Sequence, residues 1–286
     1  MSRPDLAALM VEGHGVHVEI RNPEGSRAPV LCLHSTGMSG RQWRRLAKSL
    51  AAAGHPVWLP DLLGYGASAP WRGPSRFDTN MDLAIVTALV ERVGGPYHLV
   101  GHSYGGRLAL AHLAANPANV RSLCAYEPVA YGVLRSSGDA VGLRELEDYD
   151  HDGRFLDETF GGSVAWLERF VDYWSGAGTW ASMPPEAKEG FLRSRRKVFE
   201  EVKDTCADAT RHEDFIPLST PMLVMSGAES RLSARRVCAV LGEQCPNVQH
   251  IELADGIHMA PLVAPFDVND PFMAHIAAAE QRATNG

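Results

Sequence analysis

The sequence predicts an α/β protein whose mostly parallel sheet is covered by helices on both faces and interrupted by an all-helical insertion. Short, continuously apolar runs alternate along the chain with longer segments in which apolar residues recur at helical spacing. Strands that consist of unbroken apolar runs are typical of a parallel sheet buried on both faces. The alternation stops between about residues 130 and 218, where helical patterns continue and no convincing strand is present.

The elements predicted for the core follow one another in a regular order. The first helix, 41–53, has apolar residues at Trp43, Leu46 and Leu50 and ends at Gly54, which is the spacing of one buried helix face. The other predicted elements are a hairpin strand at 16–20, strand 30–33, strand 57–59, helix 82–93, strand 97–100, helix 104–115, strand 122–126, strand 221–226, a helix near 233–241 and a last strand near 248–253.

The interval 130–218 is predicted to be a cap, with the core formed by 1–129 and 219–286. It contains 12 of the 22 aromatic residues of the chain. One predicted helix face is formed by four residues at i, i+3, i+7 and i+10: Val164, Leu167, Val171 and Trp174. A helical insertion between two strands of a parallel sheet is typical of a lid over the carboxyl edge of that sheet. We expect some of its aromatic side chains to face a substrate and the others to form the cap's own core.

Composition excludes several classes of protein. The chain has 286 residues, 45% hydrophobic and 21% charged, with a formal charge of −7, which fits a globular protein and offers no basic field for nucleic acid or an anionic membrane. No apolar run approaches the 18 residues of a membrane span, and residues 1–11 lack a secretory signal pattern. Five scattered cysteines favour neither a disulfide framework nor a metal site. We therefore expect a cytoplasmic protein without a metal or other cofactor.

One short motif points to nucleophilic catalysis. Gly101-His102-Ser103-Tyr104-Gly105 matches G-x-S-x-G and lies directly after an apolar strand and directly before a helix. A sharp strand-to-helix turn requires small flanking residues and leaves the helix N-terminus near the reacting centre. The sequence therefore predicts that Ser103 is a nucleophile exposed at the edge of the sheet.

With this motif the chain resembles the α/β-hydrolase family over nearly its whole length. Four segments carry the resemblance in the family's order: the turn at His34, the Gly-rich turn 61–68, the elbow at Ser103 and the late His258. The resemblance implies an eight-stranded, mostly parallel sheet with a helical cap inserted after the sixth strand. It is specific for the fold but not for a substrate.

A serine hydroxyl requires a general base, and the resemblance assigns that role to His258, in the loop after the final strand. The base in turn needs a carboxylate to fix its tautomer. The family's commonest acid position, three residues after Gly227, is occupied here by Ser230, with Glu229 one residue earlier. Some family members carry the acid at the end of the sixth strand, which in this chain is Glu127. We favour Glu127 and keep Glu229 as the alternative.

The resemblance also implies an oxyanion hole made by two backbone N–H groups, those of Tyr104 and Thr36. Ser35 stands where the family usually has a glycine, and the hydroxyl of Ser35 or Thr36 is a candidate third donor. His34 is expected to stabilise its turn and not to act as a base. His102 and His112 are expected to pack.

These residues together predict a serine hydrolase that cleaves a small or medium-sized ester through an acyl-enzyme on Ser103. The substrate is expected to be a small molecule with an apolar part. A serine nucleophile disfavours the family's epoxide-hydrolase and haloalkane-dehalogenase branches, which use a carboxylate. The alternatives are carbon–carbon bond cleavage or amide hydrolysis on the same triad, and a ligand receptor or sensor with slow turnover. The physiological substrate, the scissile bond, the cap residues that line the pocket and the oligomeric state stay open at this stage.

Overall fold

The computed structural model describes residues 9–71 and 77–285. In this part of the chain the main sheet has seven strands: β3 (Val18–Arg21), β4 (Val30–Leu33), β5 (Val57–Pro60), β6 (Tyr97–His102), β7 (Val120–Tyr126), β8 (Met222–Gly227) and β9 (Val248–Leu253). Their order across the sheet is β3-β5-β4-β6-β7-β8-β9. β3 is antiparallel to β5 and all other neighbours are parallel, so the predicted α/β class is confirmed.

We expected eight strands in one sheet, and the described residues form a main sheet of seven. The difference lies at the N-terminal hairpin. β1 (Leu9–Val11) and β2 (His14–Val16) form a separate two-stranded antiparallel ribbon. The predicted strand 16–20 is interrupted at His17, whose N–H donates to Ser68 Oγ at 2.9 Å and whose carbonyl accepts from Asp61 N–H at 2.9 Å. The backbone at His17 therefore forms hydrogen bonds with the Gly-rich turn, and the ribbon stays outside the sheet.

The expectation that there is no secretory signal rests on residues 1–11, of which 1–8 lie outside the described residues.

Alternate residues of the strands pack on opposite faces of the sheet, as strand geometry requires. One core contains Val30, Cys32 and Val100, together with apolar residues of α1 (Arg44–Ala52) and α11 (Pro265–Asn285). The other contains Leu31 and Leu99, together with apolar residues of three helices: α2 (Thr79–Val93), α3 (Tyr104–Ala115) and α9 (Leu232–Gln244). Helices therefore cover both faces, as the apolar strands predicted.

The interval 130–218 is helical and contains no strand; all of it is described. Its helices are α4 (Gly132–Ser137), α5 (Ala140–Tyr149), α6 (Val164–Ser175), α7 (Thr179–Ser182) and α8 (Pro185–Cys206), followed by a 3-10 turn at His212–Asp214. The exact division between core and cap stays a prediction. The predicted apolar face of α6 is only partly correct, because Val164 is 50% exposed while Trp166 and Phe170 join Leu167 and Val171 in the core.

The register of the parallel strands brings several chain segments to one edge. Leu33 pairs with Gly101, His102 with Tyr126, and Tyr126 with Met225. The turns that follow β4, β6, β7 and β9 therefore meet at the carboxyl edge, where ligand sites of α/β sheets form. The short α10 (Ala260–Val263) follows the last of these turns. No helix among residues 9–71 and 77–285 is long and apolar enough to cross a membrane.

Candidate active site

Ser103 occupies a strained turn between β6 and α3. Its φ of 54° and ψ of −118° are unusual for a residue with a side chain. The turn requires its glycines, because a Cβ on Gly101 would lie 2.4 Å from the Gly105 carbonyl oxygen and one on Gly105 would lie 2.3 Å from that of Leu33. Strain of this kind persists where the surrounding structure enforces it, and it concentrates at functional positions. The geometry is that of a nucleophile elbow.

His258 connects the serine to a carboxylate. His258 Nδ1 lies 2.6 Å from Glu127 Oε2, and His258 Nε2 lies 3.1 Å from Ser103 Oγ. All three side chains are buried. Because a carboxylate only accepts, Nδ1 carries the proton and the unprotonated Nε2 accepts from the serine hydroxyl. This is the tautomer that a general base toward Ser103 requires.

Glu127 follows directly after β7 and is held in a strained conformation, with φ of 42°. Its second carboxylate oxygen, Oε1, accepts the Gly227 N–H at 2.8 Å, so the side chain is fixed from both sides. Glu229, the alternative acid, is exposed, and its backbone N–H bonds to the Gly256 carbonyl. The structure therefore brings Glu127, and not Glu229, to the histidine.

The two residues whose N–H groups are expected to form an oxyanion hole lie close to Ser103 in different ways: Tyr104 follows it in the chain, and Thr36 lines the same cavity. Tyr104 is the first residue of α3, where helical amides lack intrahelical partners, and Thr36 lies in the turn after β4. Among the described residues, neither N–H donates a hydrogen bond to a protein acceptor. The Thr36 hydroxyl is not a third donor, because it donates to Glu201 Oε1. The Ser35 side chain lines the cavity beside Ser103.

His34 stabilises the oxyanion turn, as the sequence predicted. Its Nδ1–H donates to the Ser35 carbonyl at 2.8 Å, and its Nε2 accepts the Leu62 N–H at 2.9 Å. The ring is therefore neutral, and burial lowers the pKa of His34 to about 4. It joins two turns at the carboxyl edge and does not contact the nucleophile.

His102 was predicted to pack, but its ring also forms hydrogen bonds on both sides. Ser35 N–H donates to Gln42 Oε1 at 3.0 Å, so the Gln42 amide nitrogen is the group that donates to His102 Nδ1, also at 3.0 Å. His102 Nε2–H then donates to the His258 carbonyl at 2.9 Å. Burial lowers the pKa of His102 well below its usual range, which keeps the ring neutral. This Gln42–His102 relay connects the oxyanion turn to the backbone of the candidate base.

Two rings flank the imidazole of His258. Trp174, from α6 of the cap, lies with its ring centroid 4.1 Å away at an interplanar angle of 32°. The His102 ring lies at 4.9 Å. The imidazole is therefore held between a cap side chain and a core side chain, which limits its rotation.

A cavity of about 110 Å³ opens onto Ser103 and His258. Seven aromatic side chains of the cap contribute to its wall: Tyr131, Tyr149, Phe155, Phe170, Tyr173, Trp174 and Phe191. No Lys, Arg, Asp or Glu is among the described residues that line it. The one lining thiol, Cys206, stays protonated near neutral pH because burial raises its pKa to about 11. The described part of the cavity wall is therefore mostly apolar.

Nothing in the described part of the chain resembles a metal centre, because no group of three or more His, Cys, Asp or Glu side chains is arranged to hold an ion. The side chains of Ser103, His258 and Glu127 are instead joined to one another by hydrogen bonds.

Fold and site together define the class of protein. The sequence model of the alpha/beta hydrolase fold matches residues 28–265, and the chain belongs to this family. Lipase LipV of Mycobacterium tuberculosis (strain ATCC 25618 / H37Rv) is 40% identical over 134 residues, which cover 46% of this chain and 47% of that protein. Lipase 1 of Psychrobacter immobilis is 29% identical over 109 residues, or 38% of this chain and 33% of that protein. The chain thus spans less than half the length of these curated relatives.

Solved structures support the fold over a longer span. An epoxide hydrolase, CorEH, superposes with a TM-score of 0.71 at 20% identity and covers 94% of this chain and 97% of its own. An esterase from Exiguobacterium antarcticum, EaEST, has a TM-score of 0.67 at 17% identity with the same coverage. These identities are low, so the two structures establish the shared fold and not a shared activity.

Proposed function

We propose that this protein is a serine hydrolase that cleaves a small or medium-sized, uncharged ester through an acyl-enzyme on Ser103. The observation that carries the proposal is the unbroken hydrogen-bond chain from Glu127 through His258 to Ser103, at the floor of an apolar cavity. This arrangement activates a hydroxyl that is otherwise a weak nucleophile.

The reaction has two halves on the same atoms. His258 Nε2 takes the proton of Ser103 Oγ while Oγ attacks the ester carbonyl. The oxyanion that forms accepts hydrogen bonds from the backbone N–H groups of Tyr104 and Thr36. The protonated Nε2 then gives its proton to the leaving alkoxide, which departs as an alcohol. Water attacks the acyl-enzyme with Nε2 as base, and its proton returns to Ser103 Oγ as the acid product leaves. Glu127 accepts the Nδ1–H bond throughout.

The cavity supports a compact and neutral substrate. An apolar protein cavity of about 150 Å³ accommodates benzene, so the 110 Å³ seen here fits a short acyl chain or a group somewhat smaller than an aromatic ring. Among the described lining residues a carboxylate would meet no cationic partner, so the loss of its hydration would be uncompensated and strongly unfavourable. We therefore expect esters of short neutral acids to be preferred over esters with a second, ionised carboxyl group.

The names of the relatives favour this proposal over its alternatives. Two are lipases, which agrees with ester cleavage. A 2-hydroxy-6-oxononadienedioate/2-hydroxy-6-oxononatrienedioate hydrolase of Paraburkholderia xenovorans (strain LB400) is 32% identical over 120 residues, covering 39% of this chain and 40% of that protein. Its named substrates carry two carboxylates, and no Lys or Arg is among the described residues that line the cavity here. Epoxide hydrolase B of Mycobacterium tuberculosis (strain ATCC 25618 / H37Rv) is 27% identical over 145 residues, which cover 49% of this chain and 41% of that protein. The serine at the nucleophile position of this chain disfavours epoxide hydrolysis.

The direct test is hydrolysis of p-nitrophenyl esters from acetate to decanoate by wild type and by Ser103→Ala. We expect turnover that depends on Ser103, is best for short chains and falls toward decanoate. A matched pair, the neutral butyrate and the anionic hemisuccinate, tests the charge argument, with the butyrate preferred. Inactivity of the wild type on every ester would refute the proposal and favour carbon–carbon cleavage, amide hydrolysis or ligand sensing.

A further inference from the structure

The cap helix α8 contacts the oxyanion turn at two points. Phe191 packs against Gly37 so closely that a Cβ on this glycine, whose φ is 75°, would lie 2.2 Å from the ring. Ten residues further along the helix, Glu201 accepts the hydroxyl of Thr36 through Oε1. A residue of the cap therefore fixes the side chain of the residue whose N–H is expected to hold the oxyanion.

Glu201 is completely buried and fully hydrogen-bonded. Its other oxygen, Oε2, accepts from Tyr65 OH at 3.1 Å and from the ammonium of Lys197, one helical turn earlier. Charge-assisted bonds of this kind are stronger and more restrictive than bonds between neutral groups. The carboxylate is therefore a rigid acceptor, and the Thr36 hydroxyl bonded to it has a defined position.

The same ammonium reaches the second oxyanion residue. Lys197 Nζ donates to Asp82 Oδ2 at 3.0 Å, and the same oxygen accepts from Tyr104 OH at 3.0 Å. Lys197 and Asp82 are both buried, and Nζ lies 5.0 Å from the centroid of the Tyr104 ring. The side chains of Thr36 and Tyr104 thus bond to two carboxylates that share one lysine.

Anchoring of the cap alone does not account for this cluster. Helix α8 has a second attachment to the core, where Arg107 pairs with Asp204 at 3.2 Å and with Asp208, just beyond the helix, at 3.0 Å. Burying two carboxylates around one ammonium is also an expensive way to hold a helix, since apolar contacts often stabilise a protein more than a buried ion pair. What distinguishes the Glu201 cluster from the Arg107 cluster is its contact with the oxyanion turn.

We propose that Glu201 is a positioning residue for the oxyanion hole: it holds the Thr36 hydroxyl so that the adjacent N–H faces the reacting carbonyl. The inference rests on the proposed function, and it makes the docked cap a part of the catalytic apparatus. Thr36 is held from the cap, whereas Ser35 before it is held from the core by Gln42. The turn is therefore correctly shaped only when both attachments are present.

The cleanest perturbation is Thr36→Val, which removes the hydroxyl and keeps the shape and the backbone N–H. Loss of an oxyanion donor costs about 10²–10³ in kcat, so misorientation of a retained donor is expected to cost about 10–100-fold with KM changed less than about threefold. Thr36→Ser restores the hydroxyl and is expected to recover most of kcat. Glu201→Gln, which places an amide donor against other donors, is expected to lower kcat in the same way.

Asp204→Asn is the matched control, because Asp204 lies on the same helix, pairs with Arg107 and has no bond to the oxyanion turn. We expect it to lower the melting temperature while kcat stays within about threefold of wild type. A trifluoromethyl ketone inhibitor, which forms an oxyanion on Ser103, gives a second measurement. In Thr36→Val and Glu201→Gln, we expect the Ki of this inhibitor to rise by about the same factor by which kcat falls. In Asp204→Asn, we expect the Ki to be unchanged.

Three outcomes overturn the inference. Unchanged kcat and Ki in Thr36→Val would show that the hydroxyl does not position the N–H. Failure of Thr36→Ser to recover activity would also contradict the inference. An equal loss of kcat in Asp204→Asn and Glu201→Gln would contradict it as well, because it would indicate that both residues only anchor the cap. Each of these results is obtained with a wild type that hydrolyses esters through Ser103, so none refutes the proposed function. A wild type without esterase activity would refute both.

Discussion

Glu127→Gln isolates the role assigned to the acid, because the structure fixes which way the new amide must face. The Gly227 N–H donates to Glu127 Oε1 at 2.8 Å, so the oxygen of the glutamine side chain stays at this position. Its NH₂ group then replaces Oε2, which lies 2.6 Å from His258 Nδ1. An N–H donor at that point requires an unprotonated Nδ1, so the proton moves to Nε2, which faces Ser103. In this tautomer His258 cannot accept the serine proton.

The size of the effect follows from losing the base while keeping the site. Forcing the wrong histidine tautomer in a serine triad lowers kcat by about 10³–10⁴, or about 4–5.5 kcal/mol in activation free energy. KM is expected to change little, because Glu127 does not line the cavity. Glu229→Gln is the matched control: its side chain is exposed, and we expect kcat within about twofold of wild type.

The assay is kcat and KM on the preferred p-nitrophenyl ester, with circular dichroism to verify that each variant is folded. A Glu127→Gln enzyme that retains more than a tenth of wild-type kcat would show that Glu127 does not set the tautomer of His258. A larger loss in Glu229→Gln than in Glu127→Gln would assign the acid to Glu229 instead.

Two further predictions concern groups outside the triad. Gln42→Leu breaks the relay and leaves the Ser35 N–H and His102 Nδ1 without hydrogen-bond partners. We expect the free energy of unfolding, measured with urea, to fall by about 2–4 kcal/mol and kcat to fall as well. An unchanged free energy of unfolding would show that the relay does not restrain the site. Burial lowers the pKa of His98 to about 4, so below about pH 6.5 the unfolded chain binds a proton that the folded protein excludes until about pH 4. This histidine should therefore remove about 2 kcal/mol of stability between pH 7.5 and pH 5. His98→Gln should reduce that acid-induced loss by the same amount, and an unaltered pH dependence of urea unfolding would contradict it.

Much of the fold and the turn at Ser103 could be predicted from the sequence because both depend on local patterns, whereas the role of His258 was assigned by resemblance to the α/β-hydrolase family. Buried parallel strands are continuously apolar, and the elbow needs small residues at fixed positions beside Ser103. Glu127 was recognisable because a charged residue directly after an apolar strand lies at the carboxyl edge. The split of the first predicted strand at His17 was not predictable, because it depends on bonds to a turn more than 40 residues later.

The supporting contacts of the site could not be predicted for the same reason. Thr36 and Glu201 are separated by 165 residues, and nothing in the spacing of α8 distinguishes Glu201 from the adjacent Glu200. Gln42 lies on a short helical turn whose polar residues resemble solvent-exposed ones. Which polar side chain faces inward depends on how the cap is seated on the sheet, and that is a property of the whole fold.

Whether Ser103 is an activated nucleophile can be measured by labelling the resting enzyme with a fluorophosphonate, followed by intact-protein mass spectrometry and peptide mapping. We expect one adduct per chain, located on Ser103, in wild type. Ser103→Ala should not react, and His258→Gln should react far more slowly because its serine has no base. An unlabelled wild type, or an adduct on another serine, would contradict the claim that Ser103 is an activated nucleophile.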